Sequence, residues 1–105
     1  MKVDRDAIKR QYGTLFQAVS RALLDADPMD IDYGINPDEY EPEAATIVPR
    51  LDSAGSVQDI ETIVHEEFCR WFGQDTAGPK SKYVDAAARV WAACRAYARS
   101  PSGAS

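Results

Sequence analysis

Three stretches of this chain repeat apolar residues at intervals of three and four, and no stretch alternates with the period of two that a strand requires, so the chain can bury its apolar surface only as helices. From Asp4 to Ala26 the positions Ile8, Tyr12, Leu15, Phe16, Val19, Ala22, Leu23 and Ala26 form one stripe, with Arg10, Gln17 and Arg21 opposite. Asp27-Pro28 closes this helix, because a residue before proline is pushed out of the α region. A second long helix is expected from Ser56 to Phe72. Ser56 with Asp59 three residues on resembles a capping box, Gly73 supplies the stop, and the buried stripe is Val57, Ile60, Val64, Phe68 and Trp71, widened by Ile63 and Phe72. A third runs from about Lys80 to Arg99, with Tyr83, Ala87, Val90, Trp91, Cys94, Tyr97 and Ala98 inward and Asp85, Arg89 and Arg99 outward.

Between the first two long helices, Asn36-Pro37-Asp38-Glu39 carries an N-cap residue followed by proline, the start signal of a short helical turn. Pro42 cannot continue that turn and instead begins a helix carrying Ala44, Ala45, Ile47, Val48 and Leu51. Pro49 bends or weakens it, and the stretch from Asp52 to Gly55 ends it. The expectation is an all-α protein, a small four-helix bundle with a long ordered acidic loop between its first and second helices. Met29, Ile31, Ile35 and Tyr40 would pin that loop. At 105 residues there is material for one core, assigned to residues 1–99, with 100–105 as a flexible tail.

Charge is segregated along the chain. The net charge of −5 resolves into +3 over residues 1–21, −8 over 22–49, −4 over 50–75 and +4 over the last thirty residues. This balance disfavours nucleic acid and anionic membrane surfaces as partners. No segment approaches the roughly 18 to 20 apolar residues needed to span a bilayer. Two cysteines, Cys69 and Cys94, fall within helical patterns and read as reduced thiols, which points to a cytoplasmic protein.

The acidic run fails the calcium-loop test. Starting at Asp25 puts Met29 at position five and Asp30 at six, and starting at Asp30 puts Gly34 at five and Ile35 at six, so neither register has an oxygen ligand at five and glycine at six. His65 and Cys69 stand four apart, but the second histidine of a zinc helix is missing. No third group orients a Cys–His nucleophile, so neither a metal, a cofactor nor catalysis is expected. Most aromatics lie on core stripes, whereas Tyr33 and Tyr40 interrupt the acids. Tyr40, between Glu39 and Glu41, reads first as an anchor for the loop; for Tyr33, beside Gly34, anchoring and partner contact stand level.

Asp27-Pro28, Ile31, Gly34, Asn36-Pro37-Asp38-Glu39-Tyr40, Pro42-Glu43 and Pro49-Arg50-Leu51, followed by His65-Glu66-Glu67-Phe68 and Trp71-Phe72-Gly73, resemble a group of small uncharacterised bacterial helical proteins with an Asp-Pro…Asp-Glu-Tyr-x-Pro-Glu signature, spanning residues 27–73 here. Some members of that group are considered immunity proteins of polymorphic toxin systems, and no catalytic role travels with the resemblance. Together with the charge pattern it implies a non-catalytic acidic protein that neutralises a cognate toxin by covering a basic surface. The expected contact residues are Asp30, Asp32, Tyr33, Asp38, Glu39, Tyr40, Glu41 and Glu43. The alternative is a helical interaction or structural module with an unrelated partner, including a second copy of itself through an exposed apolar patch near Leu24.

Overall fold

The computed structural model describes residues 5–28 and 40–98, and every regular element among them is helical. In chain order these are α1 (Arg5–Tyr12), α2 (Thr14–Ala26), α3 (Glu41–Ile47), a 3₁₀ helix (Val48–Ser53), α4 (Val57–Phe72), α5 (Gln74–Ala77), a second 3₁₀ helix (Lys80–Tyr83) and α6 (Val84–Ala98). The expected all-α class holds. The described elements number more than four, and the segment expected to form the long loop, residues 29–39, lies outside the described residues, as does the tail from residue 99.

The expected first helix is two. Gly13 adopts φ 53° and ψ −119°, a conformation that side chains rarely enter, and this single residue ends α1 and starts α2. Its N–H still donates to the Lys9 carbonyl at 2.8 Å, and its own carbonyl accepts from the Gln17 amide at 3.4 Å. The apolar stripe therefore keeps its phase across the break, which is why periodicity runs straight through it. At the other end of α2, Asp27 takes the left-handed conformation (φ 47°, ψ 57°) and donates its N–H to the Leu23 carbonyl.

The third long helix is likewise compound, since Lys80–Tyr83 is wound as 3₁₀ before α6 begins. Pro49 sits within the 3₁₀ segment that follows α3, so the expected weakening takes the form of a tighter winding. α4 matches its expected bounds. The Ser56 hydroxyl accepts from the Asp59 amide at 3.2 Å, Asp59 Oδ2 accepts from the Gly55 amide at 2.8 Å, and Gly73 (φ 85°) ends the helix.

The core forms where α2, α4 and α6 meet, with the α2–α6 contact the most extensive and α3 closing the space between α2 and α4. Phe16, Val19 and Leu23 from α2, Ala44 and Ile47 from α3, Ile60, Val64 and Phe68 from α4, and Ala87 and Val90 from α6 are all buried. Ala86 and Ala87 on α6 leave room for α2 and α4 to approach closely. Three aromatic rings cluster around Phe68, whose centroid lies 5.1 Å from Tyr83, 5.8 Å from Phe72 and 6.0 Å from Tyr40.

Several stripe residues sit further out than expected. Trp71 is half-buried, its indole N–H donating to the Thr46 hydroxyl at 3.0 Å, because the indole needs a polar partner and finds one at the rim of α3. Cys94 and Trp91 are half-buried, and Tyr97 is exposed. Leu24, expected at an exposed patch, is in the core.

Candidate functional site

The acidic stretch that the sequence marks for partner contact divides in the structure. Asp30, Asp32, Tyr33, Asp38 and Glu39 lie outside the described residues. Tyr40, Glu41 and Glu43 are described, and all three are buried.

Tyr40 is an anchor. Its ring packs against Phe68, and its hydroxyl donates to Asp27 Oδ1 at 2.6 Å. The bond joins the C-cap of α2 to the residue preceding α3, so the two residues that flank 28–39 in the sequence are tied to each other. That segment contains Asp30, Asp32, Asp38 and Glu39 and no lysine or arginine. The residues on either side of it are joined by a short, part-buried, charge-assisted hydrogen bond.

Glu41 is 8% exposed and turns onto α1, where its Oε1 lies 3.1 Å from Lys9 Nζ and 3.7 Å from an Arg5 guanidinium nitrogen. A basic end of the chain thus neutralises part of the acidic middle within one molecule. The sequence carries a signal for this. Glu41 stands in phase with Ala44, Ala45 and Val48 at intervals of three, four and seven, which places it on the inward face of α3.

Glu43, 5% exposed, keeps one carboxylate oxygen, Oε1, without a hydrogen-bond partner. Burial pushes its carboxyl above the ordinary value of 4.5, outweighing the lowering by its own backbone amide. A carboxyl whose folded value is raised penalises the fold when ionised. The penalty is present above the folded value and lifts as pH falls through it toward the unfolded one. Glu43→Met is therefore expected to stabilise the protein by about 1 kcal/mol at neutral pH. The gain over the parent should shrink as pH falls toward about 4.5, the ordinary value. Urea midpoints of both proteins at two pH values measure this, and an equal or larger gain in acid would contradict it.

A second polar constellation surrounds an open depression of about 530 Å³ lined by Arg50, His65, Glu66, Cys69, Arg70 and Gln74. Arg50 donates to Glu66 Oε1 at 2.7 Å and to the buried Glu67 Oε2 at 2.8 Å, while Arg70 reaches the same Glu67 oxygen at 3.4 Å. Hydrogen bonding to Glu66, then to Glu67, holds the Arg50 guanidinium pKa above its ordinary value. Like Glu41, Glu67 is in phase with a core stripe, standing three, four and seven residues after Val64, Ile63 and Ile60, and a buried carboxylate there requires a cation from another element.

His65 Nε2 lies 3.0 Å from the Gly78 carbonyl and 3.4 Å from Cys69 Sγ. A carbonyl oxygen only accepts, so Nε2 carries the proton and donates to Gly78. That nitrogen is then unable to take a proton from Cys69, and the pair is not set up as a nucleophile and base in this arrangement. Tyr83, stacked obliquely on His65 at 5.6 Å, donates its hydroxyl to the Ala77 carbonyl. Burial, and secondarily the Cys69 sulfur, push its phenol pKa up to about 12. These bonds hold the α4–α5–α6 corner together. Among the described residues, no three His, Cys, Asp or Glu side chains gather as a metal ion would require, and no helix is long and apolar enough to cross a membrane.

Comparison of the chain with protein-family models, with curated proteins and with solved structures finds no match in any of the three.

Proposed function

We propose that this protein is a non-catalytic binding protein whose acidic segment engages a basic protein partner, most concretely an immunity protein that covers a basic surface of a cognate toxin in the cytoplasm. The observation that carries the reading is the Asp27–Tyr40 hydrogen bond, which fixes both ends of a segment bearing four carboxylates and no cation. Tethering the ends lowers the conformational entropy lost on binding, and clustered like charges accelerate encounter with an oppositely charged surface. Asp30, Asp32, Tyr33, Asp38 and Glu39 are the contact residues in this reading. Tyr40, Glu41 and Glu43 support them from inside the fold.

The test is co-expression with the protein encoded beside it. The parent chain rescues growth against that neighbour, and the quadruple reversal Asp30→Lys, Asp32→Lys, Asp38→Lys, Glu39→Lys abolishes rescue while leaving the helical circular dichroism and thermal midpoint close to the parent's. Association of the purified pair weakens steeply with added salt for the parent. Rescue undiminished by the reversals rules out the acidic segment as the contact surface.

A further inference from the structure

Helix α1 differs from the other long helices in how it is held. None of its eight residues is fully buried; Ile8 and Tyr12 are only partly covered against the core, whereas α2 alone buries seven residues. Ion pairs add to these two contacts. Lys9 and Arg5 converge on the Glu41 carboxylate, whose side chain is 11% exposed, and the Lys9 ammonium also sits 5.8 Å from the centroid of the Phe16 ring. Its connection to the rest of the chain is Gly13, a single residue at φ 53° around which a Cβ would meet nothing within 4 Å. Beside its C-terminal end lies an open cleft of about 460 Å³ in which Leu15, Leu51 and Cys94 are flanked by the polar Gln11 and Asp52, so a mixed apolar and polar surface continues past the helix.

We infer that α1 is a displaceable strap occupying, in the free protein, a groove that docks a basic amphipathic helix of the partner. The groove states its own recognition rule. A carboxylate as enclosed as Glu41 must be met by a cation, and the adjoining floor of Leu15, Leu51 and Phe16 must be met by apolar surface. α1 satisfies both on one face, with bases at i and i+4 (Arg5, Lys9) and apolar residues at i+3 and i+7 (Ile8, Tyr12). A partner helix with the same pattern fits, and a longer one also fills the cleft that α1 leaves open. That the incoming helix belongs to a basic partner rests on the function proposed above. The groove and its strap do not depend on it.

The test uses the full chain and its Arg5→Glu, Lys9→Glu variant, with a synthetic peptide of residues 5–13 as probe, held helical by a staple across the exposed positions Asp6 and Arg10. Amides of α1 are expected to exchange at least about tenfold faster in the variant, while α4 and α6 keep their protection. The stapled peptide is expected to bind the variant at least about tenfold more tightly than the parent, because the strap no longer competes. Equal peptide affinity for the two chains, or none for either, overturns the proposal, as does α1 protection equal to that of α2 in both. Concentration-dependent dimers of the variant would place a second copy in the groove and equally overturn it. Should the variant lose protection throughout, the parent decides alone: raising salt from about 0.05 to 0.5 M accelerates exchange in α1 selectively, or the strap is refuted. The quadruple reversal leaves Arg5, Lys9 and Glu41 untouched, so loss of the acidic-segment reading and loss of the groove are separate outcomes.

Discussion

Replacing Phe68 by alanine is expected to cost about 3–5 kcal/mol, enough to leave much of the population unfolded at physiological temperature. The ring is completely buried where α3, α4 and the 3₁₀ turn before α6 converge, with Tyr83, Phe72 and Tyr40 arranged around it at 5.1–6.0 Å. Three of its neighbours are themselves large and rigid, so they collapse poorly into the vacated space and the cavity persists. The substitution also removes the ring against which Tyr40 rests, so the Asp27–Tyr40 bond loosens and the acidic segment loses its fixed ends. In urea the midpoint should fall sharply with the slope unchanged, and Phe72→Ala, at a half-buried position, should fall much less. A cost for Phe68→Ala below about 1 kcal/mol would mean that the site refills and that this cluster does not organise the core.

Phe68 was legible in the sequence because it stands four residues after Val64 and eight after Ile60, on a stripe that only a helix could bury together. The same reasoning located α2, α4 and the body of α6. It failed at Gly13 for a physical reason: one non-helical residue turns the chain without shifting the phase of the residues on either side, so Ile8, Tyr12, Leu15 and Phe16 read as one stripe. α5 escaped because four residues are barely one turn, too few for any period to register. Pro49 was legible as a disturbance, but whether a helix bends or tightens into 3₁₀ depends on what the next turn packs against.

The acids show a different limit. Glu39, Glu41 and Glu43 look alike along the chain, yet Glu41 and Glu43 are buried. The cation that makes burial of Glu41 tolerable, Lys9, lies on another helix, and no local pattern announces a pairing across that separation. What was available is the phase of the acid relative to the apolar stripe, which places Glu41 and Glu67 inward and implies that each has a basic partner elsewhere. The clasp between Asp27 and Tyr40 could be anticipated only as an anchoring role for Tyr40, since its acceptor is fixed by the left-handed turn at the end of α2.

Arg50→Ala is expected to destabilise the fold by about 2–4 kcal/mol, less than the loss of the Phe68 ring. Arg50 projects from the 3₁₀ segment after α3 and bonds Glu67 on α4, whose side chain is 2% exposed, so the pair ties two elements across the edge of the core. Removing the guanidinium leaves Glu67 with Arg70 alone at 3.4 Å, a long contact from a side chain that is 63% exposed and screened by solvent. The cost thus comes from stranding a buried carboxylate more than from the attraction lost, and the distinction can be measured. Glu66→Ala removes the other partner of Arg50, but Glu66 is half in solvent, so it should cost no more than about 1 kcal/mol. Adding Glu67→Met to Arg50→Ala should restore part of the lost stability, because a thioether is content where an unpaired carboxylate is not. Equal costs for Arg50→Ala and Glu66→Ala, or a double variant weaker than Arg50→Ala alone, would show instead that the depression beside His65 is a solvated surface network and that α3 is held to α4 by apolar contact alone.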